Sequence, residues 1–233
     1  MIFEGSRPKR AAGLLVPLSS KRLPDFHMSI SWLIRARTHA PNVLRILYRA
    51  AHAFRPVRES VEIPDSLLAG CKCVSSRLVL VSELPANGRV AELGTFKGEF
   101  AKHILLRSSP IELHLVDIDF SGLDPEISSD QRVIRHLGFT NDVLTKFEDG
   151  YFDWIYVDAD HSYEGTLRDA KLSAPKVRRG GFLVFNDFAH LDSAYGRYGV
   201  HRAVSEFAVN MKWPFAFLAF AVNGLYDVAL RRP

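Results

Sequence analysis

Residues 89 to 98 read Arg-Val-Ala-Glu-Leu-Gly-Thr-Phe-Lys-Gly, and their order decides the fold. A short apolar strand, Val90 to Leu93, runs into two glycines that flank a tight turn. An amphipathic stretch from Glu99 to Leu106 follows and predicts a helix. Glycine tolerates backbone conformations and close approaches that a Cβ forbids, and the first turn of a helix presents unpaired N–H groups. The succession of strand, glycine turn and helix is therefore a place to bind a nucleotide-like molecule.

Spacing narrows the ligand. A dinucleotide fingerprint needs G-x-G-x-x-G, but with Gly98 as its second glycine, Phe96 and Ala101 stand where its first and third would fall. A phosphate-gripping P-loop ends in Gly-Lys-Ser/Thr, whereas Gly98 is followed by Glu99. What remains is E-x-G-x-x-x-G, with Glu92 where a carboxylate would repel phosphate and suit a cation. This resembles the first motif of class I S-adenosylmethionine (SAM) dependent methyltransferases, whose cofactor carries a sulfonium and an amino group but no phosphate. The resemblance implies that Glu92, Gly94, Thr95, Phe96 and Gly98 contact SAM.

The chain around this turn has 233 residues, room for one domain of ordinary size plus an extension. Its longest apolar run, Phe215 to Val222, is far shorter than the roughly 20 residues of a membrane helix, so no transmembrane span is expected. Cys71 and Cys73 are too close to bridge easily, and no further Cys/His pair completes a zinc site. Reduced thiols and the lack of a secretory leader imply a cytoplasmic protein, although an Arg-rich, acid-poor start leaves organelle targeting open.

The net charge of +4 hides an asymmetry. Residues 1 to 58 hold eleven Lys/Arg against two acids, and the rest is net acidic. Residues 1 to 28 lack periodicity and read as a disordered basic arm. Residues 29 to 84 read as a helical extension: Asn42 can cap a helix whose Val43, Ile46, Leu47, Ala50 and Phe54 share a face, and Ser66 to Leu84 reads as one further helix. This extension could pack on the main domain, form a lid or meet an anionic partner. The sequence leaves homo-oligomerisation open.

From residue 85 onward, strand-like runs at 90–93, 111–117, 132–136, 152–157, 181–185, 214–220 and 225–230 are separated by helical runs, notably 163–177 and 199–211, except between the last two. The alternation predicts an α/β fold with a parallel sheet, helices on both faces and a closing antiparallel hairpin. Seven strands with that hairpin resemble the Rossmann-like sheet of class I methyltransferases over residues 85 to 231. In such sheets ligands lie beyond the carboxyl ends of the strands.

Three further groups fall at those ends. Asp117 lies nineteen residues after Gly98, where a carboxylate can accept both hydroxyls of a ribose, with Asp119 as the alternative. Gly138-Phe139-Thr140 replaces the Gly-Asp-Ser usual in the family, which leaves Phe139, Thr140 or Asn141 to meet adenine. The third group is Asp158-Ala159-Asp160-His161-Ser162-Tyr163, followed by Gly180-Gly181 and by Phe185-Asn186-Asp187. It resembles metal-assisted O-methyltransferases, both those acting on sugars of natural products and the catechol-type enzymes.

That resemblance implies Mg²⁺ on Asp158, Asn186 and Asp187, and His161 as the base for a small-molecule hydroxyl acceptor (a sugar, glycoside or phenol). Phe188 departs from the Asn of the catechol-type enzymes. A structural role for His161 in an Asp-rich helix start is the alternative. A non-catalytic methyltransferase-like protein, recruited by its basic arm to RNA or an anionic surface, is the competing reading. No aromatic-interleaved basic motif makes nucleic acid an expected partner.

Overall fold

The structure, a computed structural model, describes residues 59–189, 191–192 and 196–233. The basic arm, the helix expected over 43–54 and residues 190 and 193–195 lie outside the described residues. In chain order the elements are α1 (Asp65–Leu68), β1 (Lys72–Val74), α2 (Arg77–Glu83), β2 (Arg89–Leu93), α3 (Glu99–Arg107), β3 (Glu112–Asp117), α4 (Pro125–Ser128), β4 (Val133–Leu137), α5 (Thr140–Leu144), β5 (Phe152–Val157), α6 (Tyr163–Ser173), β6 (Val177–Phe185), β7 (Leu191–Asp192), β8 (Gly196–Arg197), α7 (Val200–Met211), β9 (Phe215–Ala219) and β10 (Asp227–Arg231).

Eight strands form one sheet in the order β1-β9-β10-β6-β5-β2-β3-β4, and β10 is antiparallel to both its neighbours while every other pairing is parallel. Strands β2 and β5 sit side by side where the order reverses, which opens a crevice at their carboxyl ends. Alternation along each strand feeds two cores. Ala91, Leu93, Ile155 and Phe185 face α6 and α7 through Ala170, Val204 and Phe207. Val90, Trp154, Tyr156 and Val184 face α2 and α3 through Leu80, Phe100 and Ile104. Burial on both faces explains why Phe152 to Val157 is almost uninterruptedly apolar.

The sheet differs from expectation at one edge. Ser66 to Leu84 is not one helix: Lys72–Val74 pairs in parallel with Phe217–Ala219 and makes an eighth strand. Ser76, in an extended conformation, then caps α2 by accepting from the Val79 N–H at 3.3 Å. The open edge of β9 offers backbone hydrogen bonds that outweigh helix propensity in a stretch already interrupted by Gly70 and two serines. Likewise α6 stops at Ser173, and β6 starts at Val177 because Val177 pairs with Phe152. Cys71 and Cys73 are free thiols.

Candidate active site

The crevice is laced together by main-chain bonds between neighbouring strand ends. Gly94 N–H donates to the Val116 carbonyl (2.9 Å), Asp158 N–H to Leu93 (2.8 Å) and Asn186 N–H to Val157 (3.0 Å). Three segments from distant parts of the chain, 94–98, 158–161 and 186–187, thereby meet at one edge of the sheet. Gly94 and Gly98 have φ of +87° and +80°. A Cβ on Gly94 would stand 2.1 Å from the Asp158 carbonyl oxygen, so only glycine lets the two loops approach this closely.

Asp117 braces the glycine turn. Its Oδ2 accepts from the N–H groups of Thr95 (2.8 Å) and Phe96 (2.7 Å), and its Oδ1 from Asp119 N–H (3.1 Å). A carboxylate has about four acceptor positions, so these bonds fix its orientation without exhausting it. The Asp119 carboxylate, by contrast, is turned onto Ser121. Phe96 and Phe139 are exposed beside Ile118 at the ends of β2, β4 and β3, which gives the turn an apolar rim. The Thr140 hydroxyl does not face that rim, because it donates to buried Asp169 at 2.6 Å.

Around the crevice four buried polar atoms lack an aligned hydrogen bond, Glu92 Oε2, Thr95 Oγ1, His161 Nε2 and Asn186 Oδ1, although the Thr95 side chain interacts with the Glu92 carboxyl and opposes the rise in its pKa. Burial, then the nearby charge of Asp158, pushes the Glu92 carboxyl well above the usual carboxylate range. A buried acceptor set of this kind suits a cationic donor, and the glycines leave room beside it. The sulfonium and amino groups of SAM fit that description.

In the 158–163 loop His161 takes no part in capping the helix that follows. Ser162 caps α6 by accepting from Gly165 N–H (3.0 Å), and Asp160 accepts from Ser162 N–H (2.9 Å). Helix capping thus falls to Ser162 and Asp160. Gly199 N–H donates to the His161 carbonyl (2.8 Å), and the His161 ring stacks on Tyr198 with centroids 4.6 Å apart. Its Nε2 lies 3.4 Å from Asp158 Oδ1 and 3.6 Å from Asp187 Oδ2, ion-pair separations without an aligned hydrogen bond. Burial alone would lower the imidazole pKa, but Asp158, Asp187 and Asp160 together outweigh it and raise the pKa above its ordinary value.

Asp158 and Asp187 both approach His161 Nε2, and Asn186 Oδ1 is buried nearby. Among the described residues no three His, Cys, Asp or Glu side chains are gathered to hold a metal ion; the expected magnesium set of Asp158, Asn186 and Asp187 includes an amide oxygen and so is of another kind.

Sequence reasoning missed a second layer behind Glu92. The Tyr156 hydroxyl donates to Asp227 Oδ2 at 2.6 Å, and the Arg77 guanidinium lies 4.8 Å over the Phe100 ring and faces the same acids. A lone acid inside the apolar run Leu225 to Leu230 was the available signal for Asp227.

This sheet order and this glycine turn define the class I SAM-dependent methyltransferase fold. Residues 91–188 match a family described as a methyltransferase domain. Among solved structures, the N-methyltransferase NodS from Bradyrhizobium japonicum is 15% identical over 67% of this chain and 93% of its own, with a TM-score of 0.51. An O-methyltransferase family protein from Burkholderia thailandensis is 15% identical over 67% of this chain and 55% of its own (0.51). Aeropyrum pernix fibrillarin, solved with natively bound SAM, is 13% identical over 66% and 73% (0.50). No curated protein matches the chain. At these identities the structural likenesses establish the fold, and no helix among the described residues is long and apolar enough to cross a membrane.

Proposed function

We propose that the chain is a SAM-dependent methyltransferase that acts on a hydroxyl of a small molecule, a sugar, glycoside or phenol, with His161 as general base. The observation that carries this reading is the placement of His161 Nε2 between Asp158 and Asp187, at the edge of a crevice that also holds the unpartnered Glu92 Oε2. Bound SAM would supply a methyl group already activated by its positive sulfur. The cofactor would be held by Glu92 and Asn186 at its cationic end, by Gly94, Thr95 and Gly98 along the turn, by Asp117 at the ribose, and by Phe96, Phe139 and the first turn of α5 at Thr140 around the adenine.

The chain's own work is orientation and proton removal. A hydroxyl is too weak an acid to lose its proton freely at neutral pH. As the acceptor oxygen takes the methyl carbon, the sulfur–methyl bond would break and leave the neutral thioether S-adenosylhomocysteine, while the hydroxyl proton would pass to His161 Nε2; Asp158 and Asp187 would stabilise the imidazolium before the proton leaves to solvent. Tyr198 holds the ring in place. Mg²⁺, were it bound, would be held by Asp158, Asn186 and Asp187 and would lower the pKa of the acceptor hydroxyl.

The test is transfer of labelled methyl from SAM to a panel of sugars and phenols, run beside calorimetry of SAM binding. SAM binding with labelled product supports the proposal. Binding without product from any acceptor would make the chain a binding module, and absence of binding would remove the cofactor assignment.

A further inference from the structure

The sheet has a second concave region at its opposite edge. A groove of about 790 Å³ lies where β9 begins and β10 ends. These are the amino ends of the parallel strands, away from the crevice that holds Glu92 and His161. Its volume is in the range of small-molecule sites, about 300 to 1,000 Å³. Leu67, Val209 and Pro214 supply apolar wall, Lys212, Arg231 and Arg232 supply charge, and no Asp or Glu side chain is among its lining residues.

The three cations differ in their commitments. Arg232 Nη1 donates to the carbonyls of Pro175 and Val177, which fixes its head against the start of β6. Arg231 and Lys212 are exposed and form no ion pair among the described residues. Gly180 adds room: the point where a Cβ would stand is 3.8 Å from Arg231 Nη2 and 3.9 Å from Arg178 Nη1, and since Arg178 is paired with Asp153 at 2.6 Å, Arg231 is the guanidinium there with no ion pair among the described residues. Like charges gathered on a concave wall repel one another unless an anion lies between them, and the wall's curvature concentrates their field.

From this juxtaposition we infer that the groove binds a small organic anion with an apolar body, whose phosphate or carboxylate meets Arg231 and Lys212 while its hydrocarbon covers Leu67, Val209 and Pro214. The basic residues 1 to 58 have the wrong sign to be the occupant, with eleven Lys/Arg against two acids. The inference does not depend on methyl transfer, since the groove and the crevice share no residue.

The experiment is calorimetry on the full chain with hexyl phosphate, with inorganic phosphate and hexanol as separate arms. Hexyl phosphate should bind at one site, more tightly than either part alone, and as well in the presence of saturating SAM as without it. Exchanging both exposed cations, Arg231→Gln with Lys212→Gln, should weaken it about tenfold or more, because charge-assisted bonds to the anion are lost. An unchanged thermal midpoint would show that the variant is folded. Equal binding by parent and variant, displacement by SAM, or inorganic phosphate binding as tightly as the hexyl ester would each overturn the assignment. So would the absence of saturable binding in the parent.

Discussion

The Tyr156 hydroxyl, on central strand β5, donates a 2.6 Å hydrogen bond to Asp227 at the start of antiparallel strand β10, and both residues are buried. Burial pushes the Asp227 carboxyl from its ordinary 3.8 up to about 7, with the Tyr156 bond and the Arg77 charge opposing that rise. A folded-state pKa above the unfolded one means stability that is complete below about 3.8, declines as pH rises, and is lost once pH passes about 7. At about 1.4 kcal/mol per pH unit the effect is at most about 4 kcal/mol. Urea unfolding should therefore find the Asp227→Asn variant more stable than the parent at pH 8 and no better at pH 4. Parallel stability curves for the two proteins would show that Asp227 does not titrate in this range.

His161 gives a prediction about rate rather than stability. A base must be unprotonated to work, and the flanking carboxylates raise the imidazole pKa, so methyl transfer should rise with pH through a midpoint above the ordinary 6.5. His161→Ala should keep SAM affinity and lose roughly 10²- to 10⁴-fold in turnover. A chelator separates the base from the metal: a rate unchanged in chelator leaves His161 as the base alone, and a rate abolished by chelator and restored by magnesium assigns the ion to Asp158, Asn186 and Asp187.

Glu92→Gln tests the cofactor site more cleanly than any change at Gly94, where a side chain would strike the Asp158 backbone and disturb the fold itself. Replacing the carboxyl by an amide keeps the shape and removes the group that can ionise when the cationic end of SAM arrives. Affinity should fall roughly 10- to 100-fold, the range of a hydrogen bond to a charged group. The ligand-free variant should melt no earlier than the parent, because a buried carboxyl with an unpartnered oxygen is costly. Unchanged SAM affinity would remove Glu92 from the site.

How far the sequence disclosed these features follows the range of the interactions. The glycine turn, the nearly all-apolar β5 and the Asp-x-Asp-His loop are local patterns, and the structure places them at one sheet edge. The edge strand Lys72–Val74 was hidden because its stability comes from β9, more than 140 residues later. The Tyr156–Asp227 bond spans 71 positions and carries no local periodicity. Residue types at strand ends likewise show which groups meet, whereas the orientation of the His161 ring toward Asp158 and Asp187 goes with its stacking against Tyr198.

Arg77 lies outside the matched segment 91–188, yet its positive charge acts on Glu92, Tyr156 and Asp227 together. As an exposed residue with its guanidinium over Phe100, it holds this charge against the buried acids without being buried itself. Arg77→Met would keep much of the apolar stem and remove the cation, so the cost should grow as those acids ionise. We expect a loss of about 1 kcal/mol at pH 8, typical of a partly solvated charge interaction, and a smaller loss at pH 5. Adding Asp227→Asn removes the acid most dependent on it, and the combined variant should lose less than the two single effects would give if they were independent. Strict additivity at pH 8 would show that Arg77 acts through packing on Phe100 and not through its charge.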